Sequence, residues 1–210
     1  MPTTLSLEER WLRLFDITQR QKAEIEFYKL CDLYAQPHRR YHTLKHISDS
    51  LNLFEEIKKR IHDPYTFELA LWFHDIIYQT DNKDNEARSA VYAQETLQNL
   101  GLEKDQIDTI AHYILLTKHP SQPNTDDEKY LLDIDLSILG ESPVIYDKYT
   151  QAIREEYKNI PDDIYAKGRT KVLRAFLAQT SIYHTDYFKE KYEDQALANI
   201  HNELDSLLKK

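Results

Sequence analysis

The stretch FELALWFHDIIY, residues 67–78, is apolar on nearly every side, yet it contains a histidine beside an aspartate, His74 and Asp75. A helix that is apolar all round is buried, so this stretch predicts a central helix, which Asp63-Pro64 opens. An ionised carboxylate without a partner costs several kcal/mol to bury. Asp75 therefore needs either a hydrogen-bonding partner in the core or a cation, and imidazole with carboxylate suits a first-row metal ion.

The composition around this stretch is that of a helical protein. The 210 residues include only three glycines, Gly101, Gly140 and Gly168, far below the usual proportion of about 7%. This argues against glycine-rich nucleotide-binding folds and against turn-rich β-sandwiches or barrels. With 41% hydrophobic and 30% charged residues, the chain predicts an all-α fold in a single helical domain over residues 1–210.

Helical periodicity locates the elements of this domain. The predicted helices cover residues 7–34, 47–57, 67–78, 85–99, 103–118, 129–139, 144–158, 169–185 and 189–208. Polar loops are expected at 81–86 and 120–127, and Gly101 is a plausible C-cap. The candidate site lies within residues 37–140, and we expect the helices over 144–208 to pack on that core.

Charge and cysteine content limit the partners and the compartment. A formal charge of −9 and a pI of about 5.5 argue against binding a nucleic acid polymer or an anionic membrane. They still permit a small phosphorylated ligand, because a bound metal can invert the local field. The single cysteine, Cys31, forms no internal disulfide and no thiolate zinc cluster. No run of 18 apolar residues and no apolar signal core is present, so we expect a cytoplasmic protein.

Two other segments carry metal-ligand residue types. His42 and His46 are four residues apart, so they share one helical face if the helix has already begun at His42. His46 borders the apolar stripe that begins at Ile47. The spacing of residues 132, 135, 136 and 139 places Asp135 on a core face and rotates Asp133 away from it. Each residue alone also fits a structural role, His42 as a capping histidine and Asp135 as a helix-end carboxylate.

In order and spacing, the chain resembles the HD-domain superfamily of metal-dependent phosphohydrolases. It resembles most a small bacterial family described as metal-dependent HD-superfamily hydrolases, over nearly the whole length. The blocks that carry the resemblance are PHRRYHTLKHI at 37–47, WFHDIIY at 72–78, Asn85-Glu86 with Ser89-Ala90, TKH at 117–119, DIDLSILG at 133–140, Gly168-Arg169, Val172-Leu173, and Glu193 before Ala196 and Asn199-Ile200.

The resemblance implies an all-α fold in which different helices bring ligands to one divalent ion. The implied ligands are His46, His74, Asp75 and Asp135, with Asp133 as the alternative to Asp135. Two imidazoles and two carboxylates suit Mn, Fe, Co, Ni or Zn, and suit Mg less well.

The implied activity is hydrolysis of a small phosphorylated substrate, for which a nucleotide is one candidate. Activated water would attack phosphorus, with Asp75 as a catalytic metal ligand and Asp135 or Glu86 managing the proton. Two other functions stay open: a non-hydrolytic metal- or nucleotide-binding module, and a two-iron oxygenase, which needs more ligands. Neither the substrate nor the oligomeric state follows from the sequence.

Several further side chains are candidates for substrate binding, each with a structural alternative. Arg39 and Arg40 could bind phosphate in a bidentate manner, or they could form an exposed basic turn. Lys118 could pair with a phosphate, or it could be a solvated lysine. Two of the candidate histidines, at 112 and 119, share a face if their helix continues, or serve as core-edge and helix-end residues. The candidates are Arg39, Arg40, His42, Asn85, His112, Lys118 and His119.

Overall fold

A computed structural model describes residues 5–118 and 121–208. In these residues the chain forms ten α-helices and two short 3-10 helices, and no strand. The all-α fold class is therefore confirmed. By backbone contacts the chain divides into two compact units, Met1–Gln122 and Pro123–Lys210. The single domain over residues 1–210 stays a prediction.

The described part of the first unit, residues 5–118 and 121–122, contains six α-helices. They are α1 (Leu7–Leu12), α2 (Arg20–Tyr34), α3 (Leu44–Ile57), α4 (Pro64–Phe73), α5 (Asn85–Leu100) and α6 (Lys104–Leu116), with a 3-10 turn at Lys58–Arg60 after α3. The predicted continuous helix over 7–34 is wrong, because residues 13–19 interrupt it. There the Asp16 carboxylate accepts hydrogen bonds from the backbone N–H groups of Thr18 and Gln19, and this turn replaces helical bonds.

The core of the first unit forms around α4. Eight of its ten residues are buried, and the Trp72 ring meets the Trp11 ring edge-on at a centroid distance of 5.4 Å. The predicted burial of this segment is confirmed. The predicted extension of the helix to residue 78 is wrong, since α4 ends at Phe73 and His74 is its C-cap.

The second unit, as far as the structure describes it to residue 208, contains four α-helices. They are α7 (Asp126–Asp135), α8 (Pro143–Glu156), α9 (Asp162–Leu177) and α10 (Asp186–Leu207), with a 3-10 helix at Leu136–Gly140 after α7. The expected bounds of the helix over 169–185 are wrong, since α9 begins at Asp162 and ends at Leu177. Thr185 belongs instead to the start of α10, which it caps by accepting from the N–H of Phe188. Gly140 allows a close approach, since a Cβ there would lie 2.5 Å from the Cβ of Tyr192.

None of the helices in the described ranges is both long enough and apolar enough to cross a membrane.

Candidate metal centre

His46 is held by the start of α3. Thr43 caps this helix by accepting from the N–H of Lys45, so His46 lies in the first turn, one residue before the apolar face that begins at Ile47. Its side chain is 5% exposed. His42 precedes the helix, and the condition for a shared helical face with His46 is therefore not met. The two ring centroids are 6.2 Å apart.

His74 stands where α4 ends, and its ring is oriented by the helix itself. Its Nδ1 lies 2.9 Å from the carbonyl oxygen of Leu71. A carbonyl oxygen only accepts, so Nδ1 carries the proton and Nε2 of the neutral ring presents a lone pair. Metal-binding histidines are typically fixed in this way by a carbonyl on the other nitrogen. The ring is 2% exposed.

Asp75 completes a cluster of three ligand atoms within the first unit. The Nε2 atoms of His46 and His74 are 3.1 Å apart. Asp75 Oδ2 lies 3.2 Å from His74 Nε2 and 3.6 Å from His46 Nε2. In the plane of these three atoms, one point lies about 1.9 Å from each of them. Metal–nitrogen and metal–oxygen bonds are about 2.1 Å long, and points at that distance from all three atoms lie just outside the plane. The structure thus brings these three predicted side chains close together, and their role as metal ligands stays a prediction.

The turn after α4, residues 74–78, is held by side chains from other elements. The Tyr34 hydroxyl donates to the Trp72 carbonyl at 2.9 Å, and burial, followed by the Asp75 carboxylate, raises the pKa of this tyrosine. The Ser89 hydroxyl accepts from the N–H of Ile77 at 3.0 Å. Tyr34 carries no sequence signal, because nothing in the spacing relates α2 to this turn, whereas Ser89 belongs to the blocks that carry the family resemblance.

His38 and Arg39 support the same turn from the segment before α3. The Nε2 of His38 donates to the Tyr78 carbonyl over 2.7 Å. The Arg39 guanidinium donates to the carbonyls of Asp75 and Ile76 at 2.7 and 2.8 Å. The structure thus places Arg39, a predicted substrate-binding residue, against the main chain of the turn that carries Asp75. A role toward substrate stays a prediction.

In the second unit, Asp133 and Asp135 occupy different settings near the end of α7. Asp133 is 0% exposed, although the helical spacing predicted that it points away from the core. Its carboxylate accepts from the backbone N–H groups of His184 and Thr185 and from the Thr185 hydroxyl, at 2.7–2.8 Å. Burial raises the pKa of Asp133, and these hydrogen bonds oppose the rise. Asp133 thus anchors the chain entering α10, whereas Asp135 is half-buried.

Within the first unit, His46, His74 and Asp75 are a group of side chains that could hold a metal ion, each offering one ligand atom. Asp135, the fourth expected ligand, belongs to the second unit, and its part in the site stays a prediction. Two imidazole nitrogens with carboxylate oxygens match the donor set that first-row divalent metals take in proteins. The identity of the metal stays a prediction.

The remaining candidates in the first unit lie on or near its surface. Arg40 is exposed, and its guanidinium donates to the carbonyls of Pro37 and Arg39. The half-buried His42 ring stacks on Tyr78 with a centroid distance of 3.9 Å. Neither geometry tests the predicted contact with a substrate.

The candidates on α5, on α6 and after α6 differ in their exposure and in their hydrogen-bond partners. Asn85 exchanges two hydrogen bonds with the backbone of Gln79 and so fixes the loop before α5, and Glu86 follows it, half-buried, in the first turn. His112 is exposed on α6. The Lys118 ammonium donates to the carbonyl of Lys83 at 3.1 Å. His119 lies outside the described residues.

Comparison with known proteins adds no family to this picture. No family model, no curated protein and no solved structure matches this chain. Function has therefore to be inferred from the side chains themselves.

Proposed function

We propose that this protein is a metal-dependent phosphohydrolase of the HD type, acting on a small phosphorylated substrate with one divalent ion. The observation that carries the proposal is the convergence of His46 Nε2, His74 Nε2 and Asp75 Oδ2 within 3.6 Å. Asp135 is proposed as the fourth ligand. The order of these residues along the chain is the order on which the resemblance to the HD superfamily rests.

The donor set of this cluster suits a cation. With the His74 proton on Nδ1, the two Nε2 atoms, 3.1 Å apart, can share one hydrogen bond when His46 Nε2 carries a proton. A divalent ion would instead take the lone pairs of both imidazoles and a carboxylate oxygen of Asp75 as ligands. When bound, a divalent ion supplies a lowered pKa for a water molecule and offsets charge on a phosphoryl group.

The chain's own residues supply orientation and access. The Leu71 carbonyl fixes the tautomer of His74, and the burial of both histidines keeps bulk water from their lone pairs. The Asp75 carboxylate, 19% exposed, is the part of the cluster that solvent or substrate reaches. Asp135 or Glu86 is the proposed group for moving a proton. Glu86 lies in the first turn of α5, the helix whose Ser89 hydroxyl accepts from the N–H of Ile77 in the turn that carries Asp75.

The experiment begins with metal content and then measures hydrolysis. Purified protein is dialysed, its bound metals are quantified by mass spectrometry, and phosphoesters and nucleotides are screened with added Mn, Co, Ni, Zn or Mg. We expect near-stoichiometric binding of one divalent ion and phosphate release that a chelator abolishes. His46→Gln and His74→Gln should lose both properties.

His201→Gln is the matched control. Like His74, His201 hydrogen-bonds a helix carbonyl, that of Leu197, through Nδ1 at 2.7 Å, but it is exposed on α10. This variant should retain metal binding and hydrolysis. Wild-type protein that binds no divalent ion would exclude the metal centre. Protein that binds metal and a nucleotide without hydrolysing it would instead favour the non-hydrolytic module.

A further inference from the structure

Arg39 is a buried cation that donates hydrogen bonds to several main-chain carbonyls. It is 2% exposed, and its guanidinium carbon lies 5.1 Å from the Tyr34 ring centroid and 5.6 Å from that of Tyr78. Desolvating a guanidinium is costly unless its donors are used. Here the donors face carbonyl oxygens, which suits the planar fork of arginine and not the single ammonium of lysine.

Those carbonyls belong to two separate segments. One terminal nitrogen donates to His42 at 3.0 Å and to Asp75 at 2.7 Å, and the other donates to Ile76 at 2.8 Å. His42 directly precedes the cap of α3, the helix that carries His46. The second pair of carbonyls belongs to the turn that carries Asp75. Arg39 therefore joins the backbones behind two of the ligands.

The turn depends on such support because it is not helical. Beyond Phe73 its carbonyls have no regular helical partners, and a buried carbonyl without a hydrogen bond is unfavourable. Arg39 satisfies two consecutive carbonyls and so fixes the backbone from which the Asp75 carboxylate projects. A displacement of about 1 Å there would be large compared with the tolerance of a metal–ligand bond.

We propose that Arg39 is a positioning residue that sets the spacing between His46 and Asp75 for metal binding, and so acts through the backbone and not by contact with substrate. This inference rests on the proposed function, because it requires that the cluster binds a metal. It differs from the sequence prediction, in which Arg39 binds the substrate's phosphate.

The test measures Co(II) binding to metal-free protein, by titration and by the visible absorption bands that report coordination geometry. Arg39→Lys keeps the charge but cannot span the carbonyls of both segments. We expect Co(II) affinity to fall about 10- to 100-fold, the usual loss when a residue that supports a metal ligand is removed, and the absorption bands to change. Arg39→Gln, with one amide donor, is the second variant.

Arg154→Lys is the matched control. Arg154 also donates to two carbonyls, those of Tyr157 and Ile160, and lies 4.7 Å from the Tyr165 ring. Its replacement should lower thermal stability without changing Co(II) affinity or the absorption bands. A merely structural role for Arg39 would give that same result.

Each outcome decides the proposal. Wild-type affinity and bands in the folded Arg39→Lys or Arg39→Gln protein would overturn it. Failure of both variants to fold, judged by circular dichroism, would also overturn it, because Arg39 would then support the whole unit. Absence of Co(II) binding in the wild-type protein would refute the metal centre itself, and that result is visible before any variant is made.

Discussion

Replacing Asp75 by asparagine distinguishes a role of this residue as a metal ligand from a role as a structural residue of the core. The change preserves shape and removes one negative charge, so it creates no cavity. Asp75 Oδ2 lies within 3.6 Å of both imidazole Nε2 atoms, and a neutral amide oxygen is a much poorer ligand than a carboxylate. We expect metal-dependent hydrolysis to be abolished and the metal-free fold to be retained, with a change in unfolding free energy below about 1 kcal/mol.

The expected magnitude follows from linkage between metal binding and folding. Loss of a ligand should weaken binding at least as much as loss of a supporting residue, so we take about 100-fold. At a metal concentration of about 100 times the wild-type Kd, binding stabilises the wild type by about 2.7 kcal/mol and the variant by about 0.4 kcal/mol. The difference of about 2.3 kcal/mol corresponds to about 5–9 °C in melting temperature for a chain of this length.

The assay compares thermal unfolding with and without metal for both proteins, beside activity per folded molecule. The metal-free curves are the internal control, because they report any loss of packing. A metal-induced shift in Asp75→Asn equal to that of the wild type would refute the assignment of Asp75 as a ligand. Full specific activity in the folded variant would refute its catalytic role.

Two further pairs of substitutions give opposite results within each pair. Asp133→Asn should destabilise the protein by about 1–3 kcal/mol, because the amide cannot accept all three hydrogen bonds at the start of α10; metal titration should show unchanged affinity. Asp135→Asn should weaken metal affinity and leave the stability of the metal-free protein nearly unchanged. Equal metal affinity in the two variants would contradict the choice of Asp135 as a ligand. Gly101→Ala should cost about 1–2 kcal/mol in denaturant unfolding, because Gly101 caps α5 at a φ of +87°. Gly168→Ala, in open space on α9, should stabilise by about 0.5–1 kcal/mol, and a matching loss at both glycines would contradict the backbone argument.

Periodicity predicts the existence of helices well, since burial of one face is a property of the local sequence. It therefore locates α5, α6 and α8 to within a few residues. It fails where a local side chain closes a turn, as Asp16 does between α1 and α2. The pair Asp16 and Thr18 is a turn signal, but the apolar residues on both sides obscured it.

The same limit explains the two aspartates of the DID segment. Helical spacing assigns Asp135 to the core face and Asp133 to the opposite one, because it considers only the packing of α7. In the structure, Asp133 is covered by His184 and Thr185, about 50 residues later in the chain. Only contacts distant in sequence distinguish an anchor for α10 from a candidate metal ligand.

The end of α4 shows why the site and the main error of the prediction coincide. In a continuing helix, adjacent side chains point about 100° apart, so neighbouring residues do not face one another. His74 Nε2 and Asp75 Oδ2 are nevertheless 3.2 Å apart, at the point where α4 ends. The turn that follows is held by hydrogen bonds from Arg39, His38 and Ser89. The helix end that periodicity missed thus coincides with the two consecutive residues whose ligand atoms lie close together.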